Sequence, residues 1–466
     1  MNYPYFFLYF LYLLYSSAPL LLASNMKTAI INMINFSDRY WLKNAHVPHC
    51  LLEPNICLPY TSEELCLIDL EINQGQISQI IAATNKFDNT PTIDLAKKIV
   101  LPCFVDAHTH LDKGHIWERS PNQDGTFETA LTTAIADAEK YWQAEDLYRR
   151  MQFGLKCSYA HGTKAIRTHL DSYGKQAEIS FSVFKKLQQE WANKIILQGV
   201  SLVSLDYYQT SAGVALADLV ADVGGILGGV AYENPEIEAQ LDRVFNLAKE
   251  RNLDLDFHAD ENGDRDSQCL LKIAKAAIRN QFPGKIICGH CCSLAVQSEN
   301  TVKQTIELVK QAKIGVISLP MCNLYLQDRE SKKTPLWRGI TRVHEFKAQG
   351  IEVVFSSDNC RDPFYGFGDH DVLEVFTQAV RIAHLDTPYS NWINSVTKTA
   401  AELINLPNVG KIAKGLPADL IIFSGRYFSE LLARSQHERI VLRNGKSIDT
   451  TLPNYSELDD LVCSVS

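Results

Sequence analysis

The 466-residue sequence predicts an α/β protein: a (β/α)8 TIM-like barrel with a small β-sandwich domain built from the N- and C-terminal flanks. Three observations predict it. Over residues 99–398, eight short apolar stretches alternate with longer amphipathic segments, the pattern of parallel β/α units. Over 34–98 and 399–455 the chain instead reads as short alternating strands between turn residues. Finally, His and Asp recur at the ends of the apolar stretches, where a barrel of this kind carries its chemistry.

In chain order, Tyr5–Ala23 is uncharged and rich in Phe, Leu and Tyr, long enough to span a bilayer or serve as a signal h-region. No Lys or Arg precedes it, Pro4 and Pro19 punctuate it, and Met26 and Met33 follow. Residues 1–33 are therefore read as an apolar leader or a mis-assigned start, the latter favoured over a membrane anchor. The first part of the small β domain follows in Tyr40–Pro48, Cys66–Ile72 and Gly75–Ile81. The barrel strands are the one ending at His110, then Lys164–Asp171, Ile195–Val203, Gly228–Glu233, Leu253–Glu261, Lys285–His290, Ile314–Pro320 and Gly350–Asp358. Between them the helices show apolar stripes such as Leu241, Val244, Phe245 and Ala248, and such stripes are assigned to the core. Asp419–Phe423 and Arg439–Gly445 complete the small domain.

A formal charge of -9 and the absence of any Lys/Arg block argue against nucleic acid as a partner and for a small-molecule substrate. The twelve cysteines lack metal-knuckle or disulfide-framework spacing, which fits reduced thiols in a cytoplasmic protein. A homo-oligomer is left open.

Asp106-Ala-His-Thr-His-Leu-Asp112 sets His108 and His110 two residues apart, hence on one face of a strand. A His-x-His pair alone is a weak signal. His258 ends the fifth strand, His290 the sixth and Asp358 the eighth, and imidazoles with a carboxylate suit one divalent ion, Zn or Fe, with a position left for water.

These residues resemble the amidohydrolase superfamily, and within it the bacterial cytosine deaminase branch. The first His-x-His-Leu-Asp is common to the superfamily, whereas His258-Ala-Asp-Glu261, Arg338-Gly-Ile-Thr-Arg-Val343 and Asp358-Asn-Cys-Arg-Asp-Pro-Phe-Tyr365 are narrower. The resemblance implies a metal held by His108, His110, His258 and Asp358. It implies Glu261 as proton shuttle, His290 as hydrogen-bond partner of the developing tetrahedral centre, and Asp358 as a second acceptor of the water's proton. It also implies a substrate pocket touched by Ser204, Gln327, Asn359 and Phe364. Two positions depart from the cytosine pattern: Ser204 replaces a glutamine that reads the pyrimidine edge, and Asn359 replaces a second acidic residue. A hydroxyl reaches less far than an amide, so recognition is altered while the metal set is intact.

The expected reaction is therefore deamination of a small nitrogen heterocycle, with cytosine to uracil and a place in pyrimidine metabolism as the named substrate and setting. A ring-opening amidase of the hydantoinase or dihydroorotase kind is the alternative, but Gly228–Glu233 lacks the lysine that bridges two metals there. A non-catalytic binding protein on the same fold is disfavoured by the full set of ligands plus acid. Glu233, Asp112, Arg167, His169 and Asp171 are expected to brace the strands.

Overall fold

The computed structural model describes residues 27–52, 58–84, 89–435 and 438–462; the apolar leader Tyr5–Ala23 lies outside them. Among the described residues no helix is long and apolar enough to cross a membrane. The described residues form two compact units, one within 27–102 and 412–449, the other within 103–411 and 450–462.

The first unit is β-rich. Strands β1 (Arg39–Pro48), β2 (Leu65–Asn73), β3 (Gln76–Ala82) and β4 (Thr92–Asp94) form a sheet in the order β3-β2-β1-β4. The flanks are joined in its second sheet, where β5 (Val100–Pro102) pairs antiparallel with a strand from residues Leu420–Phe423 far along the chain. Leu42, Val47, Ile68 and Leu70 of one sheet and Val100, Leu420, Ile422 and Leu442 of the other share one buried cluster. Removing that apolar surface from water is what holds two short-stranded sheets face to face.

The second unit contains eight parallel strands: β6 (Phe104–Thr109), β7 (Thr163–Asp171), β8 (Ile196–Leu202), β9 (Leu227–Ala231), β10 (Leu255–Ala259), β11 (Ile286–His290), β12 (Ile314–Ser318) and β13 (Val353–Phe355). Hydrogen bonding groups them as β6-β7-β8 and β9 to β13 in sequence order. The two seams are bridged by Val200 with Ile226 and Ser204 with Val230 on one side, and by Thr109 with Asp358 on the other. The strands thus follow one another around a barrel, as the alternating pattern predicts.

Side-chain parity decides what each strand offers. On β6, Val105 and Ala107 join a buried cluster with Ala165, Ile287, Ile317, Val354 and Leu403, and within the irregularity between Asp106 and Thr109 the His108 ring meets those of His169 and His258. On β10, Phe257 stacks outward on Phe245 of the helix Ile237–Arg251, and Asp256 and His258 point in. The expected apolar stripe of that helix is buried.

Strand β9 has no room for side chains on its glycines. A Cβ on Gly228 would lie 2.4 Å from Val200 Cγ1 and 2.6 Å from the Asp256 carbonyl oxygen. Gly228→Ala therefore costs about 1–3 kcal/mol, to be read as a lowered Tm. An unchanged melting curve would show that β8 and β10 yield at this point.

Candidate active site

The register of β10 on β11 sets His258 beside Gly289 and Ala259 beside His290, which brings both histidines to one end of the barrel. Gly289 matters because a Cβ there would sit 2.9 Å from the His108 ring. His290 and Asp358 follow their strands in left-handed backbone conformations, with φ of 67° and 63°. Such conformations are costly for non-glycine residues and persist where the surroundings enforce them. The Asp358 backbone is enforced by three bonds: its N–H donates to His108 O at 2.9 Å, and its carbonyl accepts from Thr109 Oγ1 at 2.8 Å and His110 N at 3.3 Å.

These elements bring His108, His110, His258 and Asp358 together, all buried. His258 Nε2 lies 3.2 Å from His108 Nε2 and 3.3 Å from His110 Nε2, and Asp358 Oδ1 lies 3.4 Å and 3.2 Å from the same two nitrogens. Ligand bonds of about 2.0–2.2 Å in a tetrahedral site place neighbouring donors roughly 3.3–3.5 Å apart, so the set fits one divalent cation. Neither Asp358 oxygen has a hydrogen-bond partner, and a buried carboxylate without one is expensive unless a cation offsets it. Burial holds His110 and His258 well below the usual imidazole range, leaving them neutral, the form that ligates.

Glu261 and His290 stand beside this set. His290 Nδ1 lies 2.9 Å from Asn323 Nδ2 and 3.3 Å from Glu261 Oε1, and Asn323 Nδ2 also reaches Glu261 Oε1 at 3.4 Å. Since the Asn323 amide donates, Nδ1 accepts and the ring proton resides on Nε2, a buried atom with no partner of its own. Burial pushes His290 down to about 3, which keeps the ring neutral. Burial, and then the charge of Asp358, raise the Glu261 carboxyl well above its ordinary range. Asp358 is held well below its own: burial opposes ionisation, but His290, His108 and His110 outweigh it.

A cavity of about 610 Å³ opens above these groups, lined by His110, His258, Glu261, His290 and Asp358 at its base. Ser204, Asn359 and Phe364 line it too. Ser204 Oγ donates to Asp206, and its backbone N–H donates to the Tyr173 hydroxyl at 2.6 Å. Asn359 Nδ2 is engaged by Asp362 Oδ2 at 2.8 Å. Gln327 is not among the lining residues; its Nε2 donates to the Glu261 carbonyl oxygen at 3.2 Å, behind the acid.

Other expectations are corrected. The apolar stripe of the helix Phe127–Tyr141 is not simply core: Phe127, Leu131, Ala134, Ile135 and Ala138 line the cavity, with Ile135 50% exposed. The Thr126 side chain caps this helix by accepting from Thr129 N. Asp112 braces as expected, accepting from Asp171 N, and Arg167 pairs with Asp256 at 2.9 Å. Asp171 instead lines the cavity with Lys113, whose Nζ meets it at 2.6 Å and lies 5.9 Å from the Phe364 ring centroid. His169 stacks on His108 with centroids 3.9 Å apart. Glu233 pairs with Lys272 and caps Gln268 N, a structural role. The ten described cysteines are free thiols.

Sequence reasoning passed over Lys113, Asn323, Tyr173 and Tyr232. A signal existed only for Lys113, a charged residue directly after His-Leu-Asp that becomes 5% exposed.

A barrel whose strand ends gather three imidazoles and a carboxylate beneath a deep cavity defines a hydrolase with a candidate metal centre. A model of the amidohydrolase family matches residues 152–448. The chain is 47% identical over 425 residues to the pterin deaminase of Rhizobium rhizogenes (strain K84 / ATCC BAA-868), covering 91% of this chain and 97% of that protein. It is 24% identical over 409 residues to the N-isopropylammelide isopropyl amidohydrolase of Pseudomonas sp. (strain ADP), covering 84% and 95%. Among solved structures, 5-methylcytosine deaminase from Klebsiella pneumoniae liganded with 5-fluorocytosine superposes with a TM-score of 0.76 at 25% identity, over 88% of this chain and 97% of that one. The chain belongs to the amidohydrolase family, among hydrolases of carbon–nitrogen bonds.

Proposed function

We propose that this protein is a metal-dependent aminohydrolase that replaces the exocyclic amine of a pterin-type bicyclic heterocycle with a carbonyl and releases ammonia. The observation that carries the reaction is Glu261, an acid at the cavity base joined through Asn323 to His290 and adjacent to the four-donor set. For the substrate, the support is the 47% identity to a pterin deaminase, together with Ser204 where the resemblance leads one to expect glutamine. A cavity of about 610 Å³ also exceeds the needs of a single pyrimidine ring, since pockets of roughly 300–1,000 Å³ enclose drug-sized ligands. Cytosine, the substrate expected from the motifs, remains the smaller comparison.

His108, His110, His258 and Asp358 would hold the cation, Zn or Fe. Bound there, it supplies Lewis acidity that brings the pKa of a water from about 15.7 towards about 7. Glu261 takes a proton from the attacking water and delivers it to the ring nitrogen beside the carbon under attack. His290 donates from Nε2 to the oxygen as charge develops on it. Asp358 accepts the second proton, which passes to the amine so that it leaves as ammonia. Asn323 fixes the His290 tautomer, and Gln327, through the Glu261 carbonyl, positions the acid rather than reading substrate. Phe364 offers a ring face, and Ser204 and Asn359 line the pocket beside it.

The test is ammonia release by the purified, metal-analysed protein from pterin, cytosine, isoguanine, creatinine and aminotriazines. Pterin is expected to give the highest kcat/KM. Ser204→Gln should lower the pterin-to-cytosine ratio by about 10-fold or more, the scale of pocket discrimination by added side-chain atoms. Hydrolysis confined to cyclic imides, without ammonia, would overturn the deaminase reading in favour of ring opening.

A further inference from the structure

We propose that His115, Cys360 and His370 form a second metal site, a three-donor one for a thiophilic divalent cation such as zinc, which clasps the loops leaving β6 and β13. The three residues are 2%, 1% and 2% exposed, and one donor atom of each lies within 4.8 Å of the others. His115 Nε2 and His370 Nε2 face each other at 3.3 Å, the spacing found between the imidazoles of the four-donor set.

Hydrogen bonding fixes these two rings weakly: both Nδ1 atoms are buried without a partner, and among the described residues the rings hydrogen-bond only with each other. Burial holds His115 well below the usual imidazole range and His370 down to about 4, so both rings are neutral, the form that ligates. Two imidazoles and a thiolate make a donor set of the borderline-to-soft kind that suits zinc, with a fourth position left for water.

Gly154, in the helix Ala144–His161, approaches His370 so closely that a Cβ would lie 2.9 Å from Nε2, the nitrogen aimed at His115. The two loops already run side by side, with His115 N donating to Cys360 O at 3.2 Å, and Ile116 N and Trp117 N to Arg361 O at 3.0 and 2.9 Å. A cation here would tie them beside the seam at which Thr109 bridges Asp358. The site is separate from the four-donor set in its residues and in containing sulfur.

That sulfur makes the test selective. The full-length protein, stripped and reloaded with Co(II), should bind two equivalents and show a thiolate-to-cobalt charge-transfer band. Cys360→Ser and His370→Gln should each lose one equivalent and the band, whereas His258→Ala should lose the other equivalent and keep the band. Cys322→Ser, at the cysteine near Glu261 and Asp358, should keep it too. A single equivalent without the band in the unaltered protein overturns the site, whatever the variants do, as does a band that survives Cys360→Ser.

Discussion

Glu261→Gln lowers kcat for ammonia release by about 10²- to 10⁴-fold, the usual contribution of a positioned acid–base group, while metal content stays at the unaltered level. The amide keeps the shape and the contact with Asn323 but cannot take a proton from water or return one to the ring. Its backbone remains anchored, because Gln327 binds the carbonyl rather than the carboxyl. The same residue should shape the pH profile. Burial and the Asp358 charge raise the Glu261 carboxyl well above its ordinary range, and burial, the larger cause, is unchanged by a cation on Asp358. The carboxylate form that accepts the first proton is lost as pH falls through that raised value. The acid limb of kcat/KM is therefore expected above the range of an exposed glutamate. A limb at or below that range, or a Glu261→Gln enzyme within tenfold of the original, would remove Glu261 from the chemistry.

The barrel was readable because each strand announces itself twice, through an apolar run and through the amphipathic helix after it. Leu255–Ala259 and Ile286–His290 end within a few residues of where the pattern stops. The convergence of His108, His110, His258 and Asp358 was readable for the same reason, since strand ends in a parallel barrel share one rim. What escaped depends on the third dimension. The stripe Phe127, Leu131, Ala134, Ile135 has the period of any buried helix face, and nothing in a period says whether the face meets core or a cavity wall. Asp171 reads as a bracing charge, and Lys113, 58 residues before it, passes unnoticed, until β6 and β7 set them side by side at the pocket. Gln327 carries the opposite lesson: a residue after a strand end, on the rim by sequence position, turns behind Glu261 because its amide finds a backbone carbonyl there. His115, Cys360 and His370 have no motif spacing at all, and only the pairing of two loops brings them together.

His258→Ala loses one equivalent of metal and the deaminase activity together, and the loss in metal affinity exceeds the about 10- to 100-fold that follows removal of a group behind a ligand. The reason lies in the position of its Nε2, which stands 3.2 and 3.3 Å from the His108 and His110 nitrogens. Without it the remaining donors occupy one side of the space, and Asp358, buried with neither oxygen hydrogen-bonded, loses the cation that offsets its charge. The folded state should then melt earlier as well, because an uncompensated buried charge typically costs about 3–5 kcal/mol. His290→Ala provides the contrast. His290 Nδ1 is occupied by the Asn323 amide, and the ring is not one of the four clustered donors, so this variant should lose rate and retain metal. Metal analysis by mass spectrometry beside single-turnover rates separates the two. Full metal occupancy in His258→Ala, or its loss in His290→Ala with His258 intact, would mean that the cation is held by a different set of side chains.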